Sequence, residues 1–306
     1  MSTNIIRFDE KRELFEKGLS KVYGDETKVL QNQYKEWLAE TTATEWFRHE
    51  MGHSGLGVMP EKTVGGTITT DRIYYGNKKT FTMKAYALGI VVQYEVLRWD
   101  LFSVFKPITQ ELAKSAVTRY DLVAYGLPNN AFSTATVAYV DYRGEAFCAT
   151  AHSRLDGGTW KNRPSTDIGL SMTALQQGIE DLRLTVNERG MYSADMSPTM
   201  LMTTVTNDWL AHTLLQSNYN PDNANQQVNN ASRYRMKIHT SPYLTTSTYW
   251  FLWCNPKNVK IKMAKGDSPD LVKDSEHSTR NMVYHSYCSF RLEVYDGRGA
   301  YGSTGV

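Results

Sequence analysis

The sharpest chemical pattern in the sequence is His49-Glu50-Met51-Gly52-His53, which fits H-E-x-x-H. On a helix, positions four apart share a face. Two imidazoles there can hold one Zn²⁺ while the intervening Glu activates a water. A zinc metallopeptidase is therefore one reading of the chain. A catalytic zinc needs a third protein ligand. The extended form of the motif would put a His at position 59, where Met59 stands. Beyond Glu61 the next Glu is Glu95, inside the apolar run IVVQYEVL, and Asp71 lies in a Gly- and Thr-rich stretch. SGLGVMP, after His53, offers little further helix. His49 and His53 are therefore expected to be structural or surface residues at a helix end. No catalytic residue, metal or cofactor is assigned.

Other chemical candidates are weaker. Cys148 and His152 are four apart in FCATAHS, on a strand-to-loop segment, which is not a nucleophile–base geometry. The glycines of DGRGAYGSTG lack the Lys-Ser/Thr of a phosphate loop and no helix follows them. NYNPDNANQQVNN (218–230) reads as a turn-rich surface loop. Seven Trp and nineteen Tyr are spread along the chain, which suits core and interface better than a stacking site.

The composition narrows the classes. With 306 residues, 41% apolar and 22% charged, the chain is neither disordered, collagenous nor a disulfide scaffold. Lys+Arg 34 against Asp+Glu 32 leaves the total near neutral, so any basic patch is local. No apolar run reaches the ~18 residues that span a bilayer, so no membrane partner is expected. The start, MSTNIIRFDEKRELFEKG, has no apolar signal core. Cys148, Cys254 and Cys288 form neither a metal spacing nor a disulfide framework, which fits a reducing compartment.

The elements that would position these residues follow from periodicity. Phe15, Leu19 and Val22 predict a helix over 8–22, and Val29, Leu30, Tyr34, Trp37 and Leu38 a second over 26–40. Residues 57–96 read as a long two-stranded excursion, punctuated by glycines and too poor in apolar residues to bury itself. A long helix is expected over 99–126, its main part opened by Pro107. Residues 130–150 alternate like strand and 152–169 read as a polar loop. Ser171 suits a helix N-cap, with Leu175, Ile179, Leu182 and Val186 on the buried stripe and Gly190 at the end. A strand at 200–205 precedes a short helix capped by Thr206 or Asn207. Strands follow at 233–239, 248–254, 258–263 and 282–295, then a flexible tail. The class is α+β, with helices and strands in blocks.

Several ordered segments carry a resemblance. STDIGLSMTALQQGIEDL, MLMTTVTNDWLAHTLLQ, NPDNANQQVNN with KIHTSPYLTTSTYWFLWCNP, and VYHSYCSFRLEVYDGRGAYGS together resemble the major capsid proteins of tailed double-stranded DNA bacteriophages, especially Mu-like head subunits. The resemblance is strongest over 99–306. It implies the Hong Kong 97-type fold: an N-terminal arm over 1–56, an extended loop over 57–96, and a peripheral domain with a spine helix over 97–130. Residues 131–270 would be mostly axial domain, and 271–306 the return to the peripheral domain and the tail. It also implies self-assembly into hexamers and pentamers of an icosahedral shell, in a phage or prophage virion put together in the host bacterial cytoplasm. Implied partners are further copies of the chain, scaffolding and portal proteins, and nonspecifically held packaged DNA. The family has no catalytic residues to carry over. Some members crosslink a loop Lys to a neighbour's Asn, and nothing singles out Lys62, Lys78 or Lys79 for that role. An encapsulin-type nanocompartment shell would share the fold.

Overall fold

The computed structural model describes residues 8–93, 102–193, 196–217, 219, 228–275 and 281–305. Helix α1 (Phe8–Val29) buries Leu19 and Tyr23, one turn apart on one face. Leu19 joins Val92, Met282 and Tyr284, and Tyr23 joins Leu112 and Ala113.

The helix expected over 26–40 is not formed. α1 runs on to Val29, and Gln33–Glu36 make a single 3-10 turn before strand β1 (Ala39–Thr42). Tyr34, Trp37 and Leu38 are buried as their spacing requires, but on a segment held from outside. The Tyr34 amide donates to Asp121 Oδ1 (3.1 Å) and Asn32 Nδ2 donates to the Val117 carbonyl (2.8 Å). Burial raises the Asp121 carboxyl above its ordinary range, against these hydrogen bonds.

Asp121 and Val117 belong to α2 (Phe102–Asn129), whose 28 residues make a rod about 42 Å long. It lies close to the expected 99–126 and runs on to Asn129, with Pro107 exposed near its start. Leu112, Ala113, Ala116, Val117, Tyr120, Ala124 and Leu127 recur at three and four and are all buried.

Two sheets flank this rod. In the first, β12 (Met282–Val294) is central. One of its edges pairs antiparallel with β10 (Ile261–Lys265) and then β11 (Asp270–Ser275). The opposite edge pairs antiparallel with β4 (Lys84–Val92), and β1 adds parallel to β10. The second sheet has the order β13 (Ala300–Ser303), β9 (Trp250–Cys254), β7 (Pro198–Thr203), β8 (Lys237–Thr240). Every residue of β9 is buried, as in a strand covered on both faces. Trp253 meets Trp37 at 4.8 Å and Phe147 at 5.9 Å between ring centroids. Helix α3 (Met172–Arg183) covers this sheet, and the Ser171 side chain accepts from the Ala174 amide (3.2 Å), as its sequence position predicts. The helix stops at Arg183; Val186 instead bridges to Tyr192, and Gly190 (φ 74°) turns the chain between them. Helix α4 (Asp208–Gln216) follows β7, and Asn207 precedes it without a side-chain cap.

Three further expectations are corrected. Residues 130–150 form no strand; a 3-10 turn at Val137–Tyr139 leads into an Asp141 turn, in which Asp141 Oδ1 accepts from the amides of Arg143 and Glu145. The adjoining β5 (His152–Ser153) and β6 (Thr159–Trp160) make a small hairpin within the expected loop. The tail is not free: Asp296–Ser303 are buried, and β13 pairs with β9. Its glycines serve close approach, since a Cβ on Gly297 would lie 2.4 Å from the Phe147 carbonyl oxygen. The α+β class with blocks of helix and strand stands.

Candidate assembly surface

Strand β2 (Phe47–His53) pairs antiparallel with β3 (Tyr75–Thr82), from Phe47 opposite Thr82 to His53 opposite Tyr75. The excursion is thus based on 47–53 and 75–82, while the second half of the expected strand run, β4, belongs to the first sheet. The buried Met83 divides the two, its amide donating to the Trp46 carbonyl (2.8 Å). Beyond the paired strands, Leu56, Val58, Met59, Val64 and Ile68 are each more than half exposed. Apolar groups separated by glycines and threonines have nothing in their own segment to cover them.

The base is rigidly seated. Gly52 and Gly76, on adjacent strands, both lie against the Tyr142 ring; a Cβ on either would come within 2.8 Å of it. Tyr142 stacks on Tyr295 at 4.9 Å. Lys79 reaches inward and donates to the carbonyls of Val140 (2.5 Å) and Val294 (2.8 Å), and burial lowers its ammonium to about 8. Further out, Asp71 accepts from the Gly57 amide (2.8 Å) and from Arg189 (3.0 Å), whose guanidinium lies over Tyr74.

Under this seat is a buried ion network that the sequence reading missed. Arg143 pairs with Asp141 (2.7 Å) and Glu188. Arg298 pairs with the same Glu188 (2.7 Å) and with Asp296 (2.5 Å). Tyr142 Oη also donates to Glu188 (3.0 Å). The network ties three segments distant in sequence to the foot of the hairpin. A signal existed: Asp141-x-Arg143 and Asp296-x-Arg298 are the same local pair, repeated, and they converge on one Glu.

The H-E-x-x-H residues lie on β2, a strand and not a helix. His49 and His53 are exposed on one face but about 13 Å apart along the strand, and Glu50 alternates to the other face. His49 Nδ1 lies 2.8 Å from Thr80 Oγ1. Such a spacing cannot close on one zinc. His49→Ala and His53→Ala are expected to leave thermal stability and particle formation unchanged, with zinc well below one equivalent per chain in wild type. Stoichiometric zinc lost in both variants would contradict this.

Cys148 is fully buried and its thiol is pushed well above the ordinary range, so it is no ready nucleophile. His152 is buried against Trp160 (4.2 Å) and Asn162. Asp141, Glu145 and His152 do bring ligand atoms within 4.8 Å of one another. The two carboxylates already accept hydrogen bonds, Asp141 from Arg143 and two amides, Glu145 from the Ser153 amide and hydroxyl.

An exposed apolar loop thus stands on a braced foot, beside a long helix and two sheets. A family model for phage capsid proteins matches residues 77–301. The chain belongs to that family. The capsid structure of cyanophage P-SCSP1u is similar over 87% of this chain and 85% of that one, with 9% identity and a TM-score of 0.59. The mature capsid of bacteriophage PhiM1 matches over 89% and 86%, with 10% identity and a TM-score of 0.56. A virus-like particle from Pyrococcus furiosus matches over 95% and 99%, with 10% identity and a TM-score of 0.51. No curated relative matches the sequence. The fold is the Hong Kong 97-type capsid fold, and the capsid protein is a structural component of the virion shell, not an enzyme. The metallopeptidase reading falls with the helix it required, and the family match favours phage capsid over nanocompartment. Among the described residues, no helix is long and apolar enough to cross a membrane.

Proposed function

We propose that this capsid protein builds hexamers and pentamers that close into an icosahedral shell around packaged DNA. In this reading the chain divides into an arm (1–56), an extended loop (57–96, carried on the β2–β3 hairpin, with its β4 part seated in the first sheet), a peripheral domain (97–130 and 271–306, with β13 joining the second sheet) and a mostly axial domain (131–270). The exposed apolar loop on its braced hairpin carries the reading. Burial of those side chains by a neighbour is worth about 25 cal/mol for each Å² removed from water, repeated at every copy. The antiparallel pairing of β2 with β3 supports a loop that projects as a unit. Packaged DNA is held without sequence readout, in keeping with a formal net charge of +2. Scaffolding and portal proteins are the further partners, and assembly takes place in the host cytoplasm. A heterologous contact that closes makes rings, and curved rings make shells. Sedimentation of the expressed protein is expected to give capsomers or far larger particles. A monomer at every salt and protein concentration tested, with a scaffold supplied, would oppose the proposal.

A further inference from the structure

The near-neutral total hides a strongly basic place among the described residues. A groove of about 920 Å³ runs between β3, the start of β4, α2 and the 137–144 turn. Six cationic side chains line it against one carboxylate, Asp141, which Arg143 already engages. Lys79 is spent on carbonyls, and Arg143 and Arg291 on Glu188 and Glu293. Lys78, Lys84 and Arg119 have no carboxylate partner among the described residues. Lys78 and Lys84 are exposed, and Arg119 lies over the Tyr86 ring at 4.5 Å. The groove also offers apolar surface, with Val137 77% exposed on its rim.

A complementary surface exists on the same chain. Alternation along β11 puts Asp270, Val272 and Asp274 on one exposed face, with an apolar side chain between two carboxylates. β11 pairs through one edge with β12 and has no partner strand on its outer edge among the described residues. It cannot reach the groove of its own subunit. It lies beside 282–287 on the edge of β12 opposite β4, whereas the groove meets β12 at 290–292.

We propose that the groove receives the Asp270–Asp274 face of β11 from a second copy of this chain. This rests on the shell reading above and names one of its contacts. A carboxylate beside an exposed apolar side chain on β11 fits cations beside an exposed apolar rim, whereas a phosphate backbone has no use for that rim. Groove and strand are different surfaces, so the contact is heterologous and propagates from copy to copy, as a ring or shell requires. Opposite charges across it also steer the two copies together and make the encounter sensitive to salt.

The test is a charge exchange in the full-length chain. Lys78→Glu with Lys84→Glu, and separately Asp270→Lys, are each expected to melt like wild type and to lower particle yield about tenfold or more. All three changes together are expected to restore most of that yield. Wild-type yield from either variant, or no recovery in the combination, overturns the proposal. Normal particles from the lysine variant that have lost only nucleic acid would assign the groove to phosphates and also overturn it. A readout independent of shells separates this contact from the shell reading. Lys84→Cys and Asp270→Cys proteins, mixed and oxidised, are expected to give a disulfide dimer that neither forms alone. The native thiols are buried and give little background. Absence of that dimer counts against the groove contact even where wild-type particles form, and its presence sustains the contact even where they do not.

Discussion

Replacing residues 58–70 by a short Gly/Ser linker is expected to leave a folded subunit that builds no shell. The ends of the deleted piece are already together, because the Gly57 amide donates to Asp71 at 2.8 Å. A short linker therefore spans the gap, and the change in loop-closure entropy is under about 1 kcal/mol. Val58, Met59, Val64 and Ile68 leave with the segment, and all are exposed, so the subunit loses almost no internal burial. The β2–β3 register, the Gly52 and Gly76 seat and the Lys79 anchor remain. Circular dichroism and the melting temperature should match wild type, while micrographs show no particles. Wild-type particles from the deletion would remove the loop from the assembly contacts. A deletion that unfolds would make 58–70 part of the subunit core.

Arg298→Met is expected to be among the most destabilising single changes in the chain. Arg298 is buried and holds two buried carboxylates, Glu188 and Asp296, and its Nε donates to the Val186 carbonyl (2.8 Å). A methionine leaves both carboxylates in place with half their compensation gone. Removing one member of a buried pair costs about 3–5 kcal/mol, because the remaining charge stays desolvated. Urea unfolding of the variant should show a lower midpoint with an unchanged slope. A midpoint within experimental scatter of wild type would mean that solvent or Arg143 compensates the carboxylates and that the network does not brace the hairpin.

These two experiments concern regions that the sequence exposed very unequally. The helix α2 was legible because its small and apolar residues recur at three and four over many turns, and β12 because it is long and rich in strand-forming residues. Ser171 announced its helix by type and position alone. Residues 26–40 misled because Tyr34, Trp37 and Leu38 have helical spacing, while the hydrogen bonds that fix their real path come from Asp121 and Val117. No local pattern contains that information. His49, Met51 and His53 satisfy a period of two as well as their outer pair satisfies a helical turn, so the motif fits a helix by spacing while its pairing with β3 makes it a strand. The sequence predicts a flexible tail, but Gly297 and Gly302 let the backbone meet Phe147 and Phe251. Capsid membership was carried by the order of several segments. The buried network was hidden because Asp141, Glu188 and Arg298 meet only through the fold.

The central claim is that the exposed loop is covered by a neighbouring copy in a closed shell. A cryo-electron microscopy reconstruction of particles from the expressed protein tests it most directly. The expected map shows closed shells of hexamers and pentamers in which Leu56, Val58, Met59, Val64 and Ile68 of each copy lie buried on the next. Closed shells with these side chains still in solvent, or a protein that forms no shell with scaffold supplied, would contradict it.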